Sequence, residues 1–145
     1  MTIIQKNILE IKNGIICQCV NVLGVMGSGL ALQIKNKWPI VYNEYKNKLI
    51  WPRYKNLGLS KLIKVEESLY VANIASQFDY GIDYRRTEYG SIYFALKDLK
   101  NQIENLNYSV YIPWMMASGR GGADWNLIME MLDELFPDCY ICKID

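Results

Sequence analysis

A chain of 145 residues with 51% hydrophobic content is long enough to bury a proper core as one domain, residues 1–145, which excludes a disordered segment. Lysine plus arginine number 16 and aspartate plus glutamate 15, so the net charge of +1 gives no broad basic track for nucleic acid. Histidine is absent, which removes Ser-His-Asp and Cys-His catalysis and histidine-ligated metal sites.

In chain order, residues 2–9 read as a first strand kinked near Lys6 and Asn7, and Asn13-Gly14 is a turn signal. The apolar run 14–20 reads as a buried strand that ends at Asn21. A loop, Gly24-Val25-Met26-Gly27-Ser28-Gly29, follows, and then Leu30, Ile34 and Trp38 recur at helical spacing. Pro39 ends that helix or starts the next, for which Val41, Tyr45 and Leu49 supply the stripe. Residues 51–58 read as an exposed connector. Two strands, 59–65 and 69–75, flank Glu66-Glu67. Residues 77–86, QFDYGIDYRR, have no period and read either as a surface crossover or as a ligand-edge loop. Thr87 is the expected N-cap of a helix striped by Ile92, Ala95, Leu96, Leu99, Ile103 and Leu106. Residues 108–113 form another apolar strand, running into a second glycine loop, 115–124. Trp125, Ile128, Leu132 and Leu135 then mark a helix ended by Pro137, and 140–144 is a closing strand.

The chain therefore uses one device twice: a strand enters a glycine loop and a helix follows. Glycines let main-chain N–H groups approach a ligand, and a first helical turn carries unpaired N–H groups with partial positive charge. Together they suit a phosphate or pyrophosphate, although each loop also reads as a tight turn between packed elements. The first loop has the order G-x-x-G-x-G, which matches neither the dinucleotide fingerprint nor the G-K-[ST] phosphate loop. In an open α/β sheet such loops gather at the carboxyl ends of the strands. The four cysteines, Cys17, Cys19, Cys139 and Cys142, lie in apolar runs and read as small buried hydrophobes rather than zinc ligands. No apolar stretch reaches the length of a membrane span, and the first residues have neither a basic region nor a long apolar run of a signal peptide. The expectation is a cytoplasmic protein, in the host cytoplasm if phage-encoded.

Three segments together resemble the macro domains, an ADP-ribose-binding family. VNVLGVMGSGLALQIKNKWPIVYNEY resembles the family's first signature, and NIASQFDYGIDYRRTEYGSIYFAL its middle segment. IPWMMASGRGGADWNLIMEML resembles the second phosphate loop, a glycine-cysteine-glycine run ending Gly-Gly-Asp-Trp. The likeness is greatest to small phage, bacterial and yeast members similar to ADP-ribose 1″-phosphate phosphatases. It implies a three-layer α/β/α sandwich with a mixed, roughly six-stranded sheet that binds ADP-ribose along its crest, with no metal and no cofactor. It implies a monomeric partner of small-molecule nucleotides, with no membrane and no general nucleic-acid binding.

Carried across, Asn21 corresponds to the asparagine that orients the distal ribose or a water, and otherwise reads as a turn residue. Gly27, Ser28, Gly29 and Leu30 would supply amides to the distal ribose and the α-phosphate side. Ser118, Gly119, Arg120, Gly121 and Gly122 would wrap the pyrophosphate and terminal phosphate, Arg120 otherwise being a solvated loop tip. Asp124 reads as a general base or as the N-cap of the following helix. Lys6-Asn7, with Ile8 following, stands where the family commonly has Gly-Asp, whose Asp accepts from adenine; an asparagine carbonyl accepts without charge, and otherwise Asn7 is a strand-end turn. Gln18 replaces a histidine, Val22-Leu23 replaces Cys-Gln, and Ala117-Ser118 replaces Gly-Cys. The lysine that glycohydrolase relatives use has no counterpart near Asn73 to Gln77. The resemblance implies a metal-independent phosphatase on ADP-ribose 1″-phosphate, with Asn21 and Asp124 as catalytic residues. The alternatives are a non-catalytic binder that sequesters ADP-ribose or a cyclic signalling nucleotide, and a de-ADP-ribosylating hydrolase.

Overall fold

The computed structural model describes residues 1–144. Its centre is a six-stranded sheet in the order β1-β6-β5-β2-β4-β3. The strands are β1 (Thr2–Gln5), β2 (Gly14–Asn21), β3 (Ser60–Glu66), β4 (Leu69–Gln77), β5 (Val110–Pro113) and β6 (Tyr140–Lys143). Every neighbouring pair is parallel except β3 with β4, so the sheet is mixed, as expected. The helices are α1 (Gly29–Lys37), α2 (Pro39–Asn47), α3 (Tyr89–Ile103) and α4 (Trp125–Leu135).

The alternation of side chains along β2 builds two cores. Ile15 and Cys17 face one way and pack with Ile92, Leu96 and Leu99 of α3 and Ile128 and Leu132 of α4. Ile16 and Val20 face the other way and pack with Ile34 of α1 and Val41 and Tyr45 of α2. Both faces of the strand are covered, which is why it reads as an unbroken apolar run rather than an alternating one. The result is three layers, with α1 and α2 on one side of the sheet and α3 and α4 on the other.

The structure corrects several element boundaries. The first strand stops at Gln5, and Ile8–Glu10 form a 3-10 turn instead. The Asn7 side-chain oxygen accepts the Leu9 N–H at 3.0 Å, and that local bond closes the chain into a turn. Arg53–Asn56 add a second 3-10 turn inside the connector, where Asn56 is buried and bonded to Ile50 and Arg53. Glu88, not Thr87, occupies the N-cap position of α3. The Thr87 hydroxyl instead donates to the Ala117 carbonyl at 3.0 Å. Leu106 lies beyond the end of α3 and is exposed, so the buried stripe ends at Ile103. Cys17, Cys139 and Cys142 are buried free thiols, and Cys19 is half-buried. No helix among the described residues is long and apolar enough to cross a membrane.

Candidate functional site

Strands β2 and β5 are neighbours, yet the helix after β2 packs on one face of the sheet and the helix after β5 on the other. Where two adjacent strands send their chains to opposite faces, a crevice opens at their carboxyl ends. The two glycine loops leave the sheet at that point. A cleft of about 620 Å³ lies there, lined by Gly27, Ser28, Gly29 and Leu30 from the first loop and by Gly119, Arg120 and Gly121 from the second. That volume falls within the range of about 300–1,000 Å³ usual for small-molecule sites.

The first loop is shaped by Asn21, which is 7% exposed. Its amide donates to the Val25 carbonyl at 2.8 Å and accepts from the Val25 N–H at 3.1 Å, a two-way clasp across the turn. The Tyr45 hydroxyl donates to the Asn21 carbonyl at 3.1 Å, and Arg53 donates to the Leu23 carbonyl at 2.5 Å. Gly24, at φ +77, makes the turn in a conformation that side chains rarely adopt. Ser28 stands at the N-cap of α1 without a side-chain capping bond, and the first turn holds no acidic residue. The first-turn N–H groups therefore keep their positive field toward the cleft with no carboxylate to offset it.

The second loop is more tightly wound. Met115 and Ala117 sit at φ 61 and 65, an uncommon conformation for residues other than glycine. The Gly121 carbonyl accepts from both the Arg86 and Thr87 N–H groups at 3.0 Å, tying this loop to the end of segment 77–86. A side chain at Gly121 would meet the Ala117 carbonyl oxygen at 2.6 Å and the Thr87 hydroxyl, so only glycine fits.

The other expected site residues fall into two groups. Ser118 and Gly122 support the loop but do not line the cleft. Asp124 is exposed and caps α4, its carboxylate accepting the Asn126 N–H at 2.9 Å. It too is absent from the cleft lining, as are Asn7, which caps its 3-10 turn, and Ile8, which is buried in the core. Arg120 is the one charged side chain that lines the cleft among the described residues.

Sequence reasoning did not assign several lining residues. Gln18, Cys19 and Val20 come from the carboxyl end of β2, and Trp114 and Met115 follow β5. Trp114 also packs edge-on against Trp125, with ring centres 5.5 Å apart. Gln18 is buried and donates to Asn73 at 2.7 Å across the paired strands. Burial pushes the Cys19 thiol up to about 12, which keeps it protonated and a poor nucleophile at neutral pH. Tyr80, Gly81 and Ile82 form a third side of the cleft, so segment 77–86 is an ordered crossover that borders it. Its density of aromatic residues was the available signal.

No protein-family profile matches the chain, and no curated protein matches it. Solved structures do. A protein from Bacteroides thetaiotaomicron is 24% identical, covers 99% of this chain and 96% of its own, and superposes with a TM-score of 0.80. The macrodomain of Mycobacterium tuberculosis DarG is 24% identical over 97% of this chain and 94% of its own, with a TM-score of 0.78. Thermosipho africanus DarTG in complex with ADP-ribose is 18% identical, covering 90% of this chain and 37% of its own, with a TM-score of 0.69. The chain has the macrodomain fold.

Proposed function

We propose that this chain binds an anionic sugar nucleotide of the ADP-ribose type, its diphosphate lying between the amides of residues 27–30 and those of residues 119–121. The observation that carries this reading is the meeting of both loops in one cleft, with Arg120 as the lining cation and no lining carboxylate among the described residues. Preorganised N–H groups in such a crevice hold phosphate oxygens without any side-chain charge. The complex of Thermosipho africanus DarTG with ADP-ribose, which shares the fold, supports the same ligand class.

Binding without turnover is the better supported form. Asn21 uses an amide N–H and its amide oxygen to hold Val25, and Asp124 accepts the Asn126 N–H outside the cleft lining, which favours structural roles for both. The second reading is hydrolysis of the terminal phosphate of ADP-ribose 1″-phosphate. Arg120 and the loop amides favour it, because they would stabilise charge on the phosphoryl oxygens, with the substrate's own phosphate taking the proton from water.

One paired experiment separates the two. Titration calorimetry with ADP-ribose tests the site: saturable binding that is lost in a Gly121→Ala variant supports it, and no heat from the wild type refutes it. Incubation with ADP-ribose 1″-phosphate then tests turnover. Ligand recovered intact supports the binder, and phosphate release above an Asn21→Ala control supports the phosphatase.

A further inference from the structure

Segment 77–86 is folded around a single side chain. The Arg86 guanidinium is 10% exposed and pairs with the Asp79 carboxylate at 2.9 Å and the Asp83 carboxylate at 2.5 Å. It donates to the Tyr84 hydroxyl at 2.6 Å and lies 3.6 Å from the centre of that ring. Gly81 passes so close that a side chain there would meet the Arg86 Nη2 at 2.7 Å. The Arg86 N–H meanwhile holds the Gly121 carbonyl of the second phosphate loop. The residues presented to the cleft, Tyr80, Gly81 and Ile82, are those between the two aspartates that Arg86 grips.

We propose that Arg86 is a positioning residue for nucleotide binding, which fixes the third wall of the cleft and offsets one of the two negative charges that would otherwise repel an anionic ligand. The inference rests on reading the cleft as a nucleotide site. Two consequences follow from the geometry. Tyr80 and Ile82 are 57% and 78% exposed, so the wall is held by the Arg86 anchor and by the Gln77 amide, which donates to the Asp79 carbonyl at 2.7 Å. Asp79 and Asp83 flank the wall, and removing their shared cation leaves two negative charges beside the phosphates. A lysine cannot substitute, because it lacks the planar fork that reaches two carboxylates and the flat face that stacks on Tyr84.

The test is calorimetric titration of ADP-ribose into the wild type, R86A, R86K and the triple variant R86A/D79N/D83N, each at low and at moderate salt. Affinity is expected to fall about tenfold or more in R86A, and nearly as far in R86K. The triple variant should recover several-fold at low salt, and its advantage over R86A should shrink as salt screens the carboxylates. A purely structural role would give no such charge-dependent recovery. Folded R86A that binds within about twofold of the wild type overturns the proposal, as does a triple variant no tighter than R86A at low salt. If R86A does not fold, R86K carries the same test with the same refuting outcome. A wild type that takes up no ADP-ribose refutes the reading of the site itself, which separates that failure from this one.

Discussion

The clasp made by Asn21 gives the sharpest test of how the first loop is held. In Asn21→Ala both bonds to Val25 are lost, the donor at 2.8 Å and the acceptor at 3.1 Å. Two neutral hydrogen bonds at about 1 kcal/mol each make a loss of about 2 kcal/mol. For a chain of this size that corresponds to a fall in Tm of roughly 4–8 °C. Asn21→Asp keeps the acceptor but sets a carboxylate oxygen against the Val25 carbonyl, a loss of about 1–3 kcal/mol, and adds negative charge beneath an anion site. Thermal melts followed by circular dichroism measure the first effect and ADP-ribose titration the second. Both variants should bind more weakly than their stability loss alone explains, because Gly27 to Leu30 lose their fixed aim. An Asn21→Ala protein that melts within about 1 °C of the wild type would refute the claim that this amide organises the loop.

Two glycines of the second loop should respond in opposite ways. Gly121→Ala forces a methyl group against the Ala117 carbonyl and should destabilise by about 1–3 kcal/mol, whereas Gly119→Ala points into open space and should stay within about 0.5 kcal/mol by urea denaturation. Equal effects would contradict the packing described. Asp124→Ala should lose about 1 kcal/mol of capping, while Asp124→Asn keeps the cap and leaves ADP-ribose affinity unchanged. Weak binding by the Asn variant would bring the carboxylate back into the site. Burial raises the Cys19 thiol from its ordinary 9.0 to about 12 and those of Cys139 and Cys142 to about 11. The folded protein therefore holds these protons more tightly than the unfolded chain. Their contribution is whole below pH 9 and is lost as pH rises through 11 to 12. The urea midpoint should accordingly fall between those limits, and a flat profile would refute it.

The parts of the site that were legible in the sequence are the local ones. The strand 14–20, its glycine loop and the stripe of α1 are contiguous, so periodicity and loop chemistry reveal them directly. The second loop is legible for the same reason. That both loops share a cleft depends on β2 and β5 being neighbours, which no local pattern states. Asn7 and Thr87 show a different limit. Each has the residue type expected for its suggested role, but a hydroxyl or amide goes to whichever partner the fold places near it. Asn7 closes a 3-10 turn and Thr87 bonds across to Ala117. Segment 77–86 was ambiguous because its order comes from Arg86 gripping residues on both sides of Gly81, and such a knot has no period.

A grip made of main-chain nitrogen has a consequence for how such proteins diverge. Most of what would touch the diphosphate here is common to every amino acid, so substitutions can accumulate along the chain while the recognising atoms stay where they were. What selection must preserve is the path of the backbone: a handful of glycines, one amide clasp and the order of the strands. Likeness built on such a site would therefore survive in shape after it has faded from the letters. A chain that shares under a quarter of its residues with solved structures can still superpose on them over nearly its whole length.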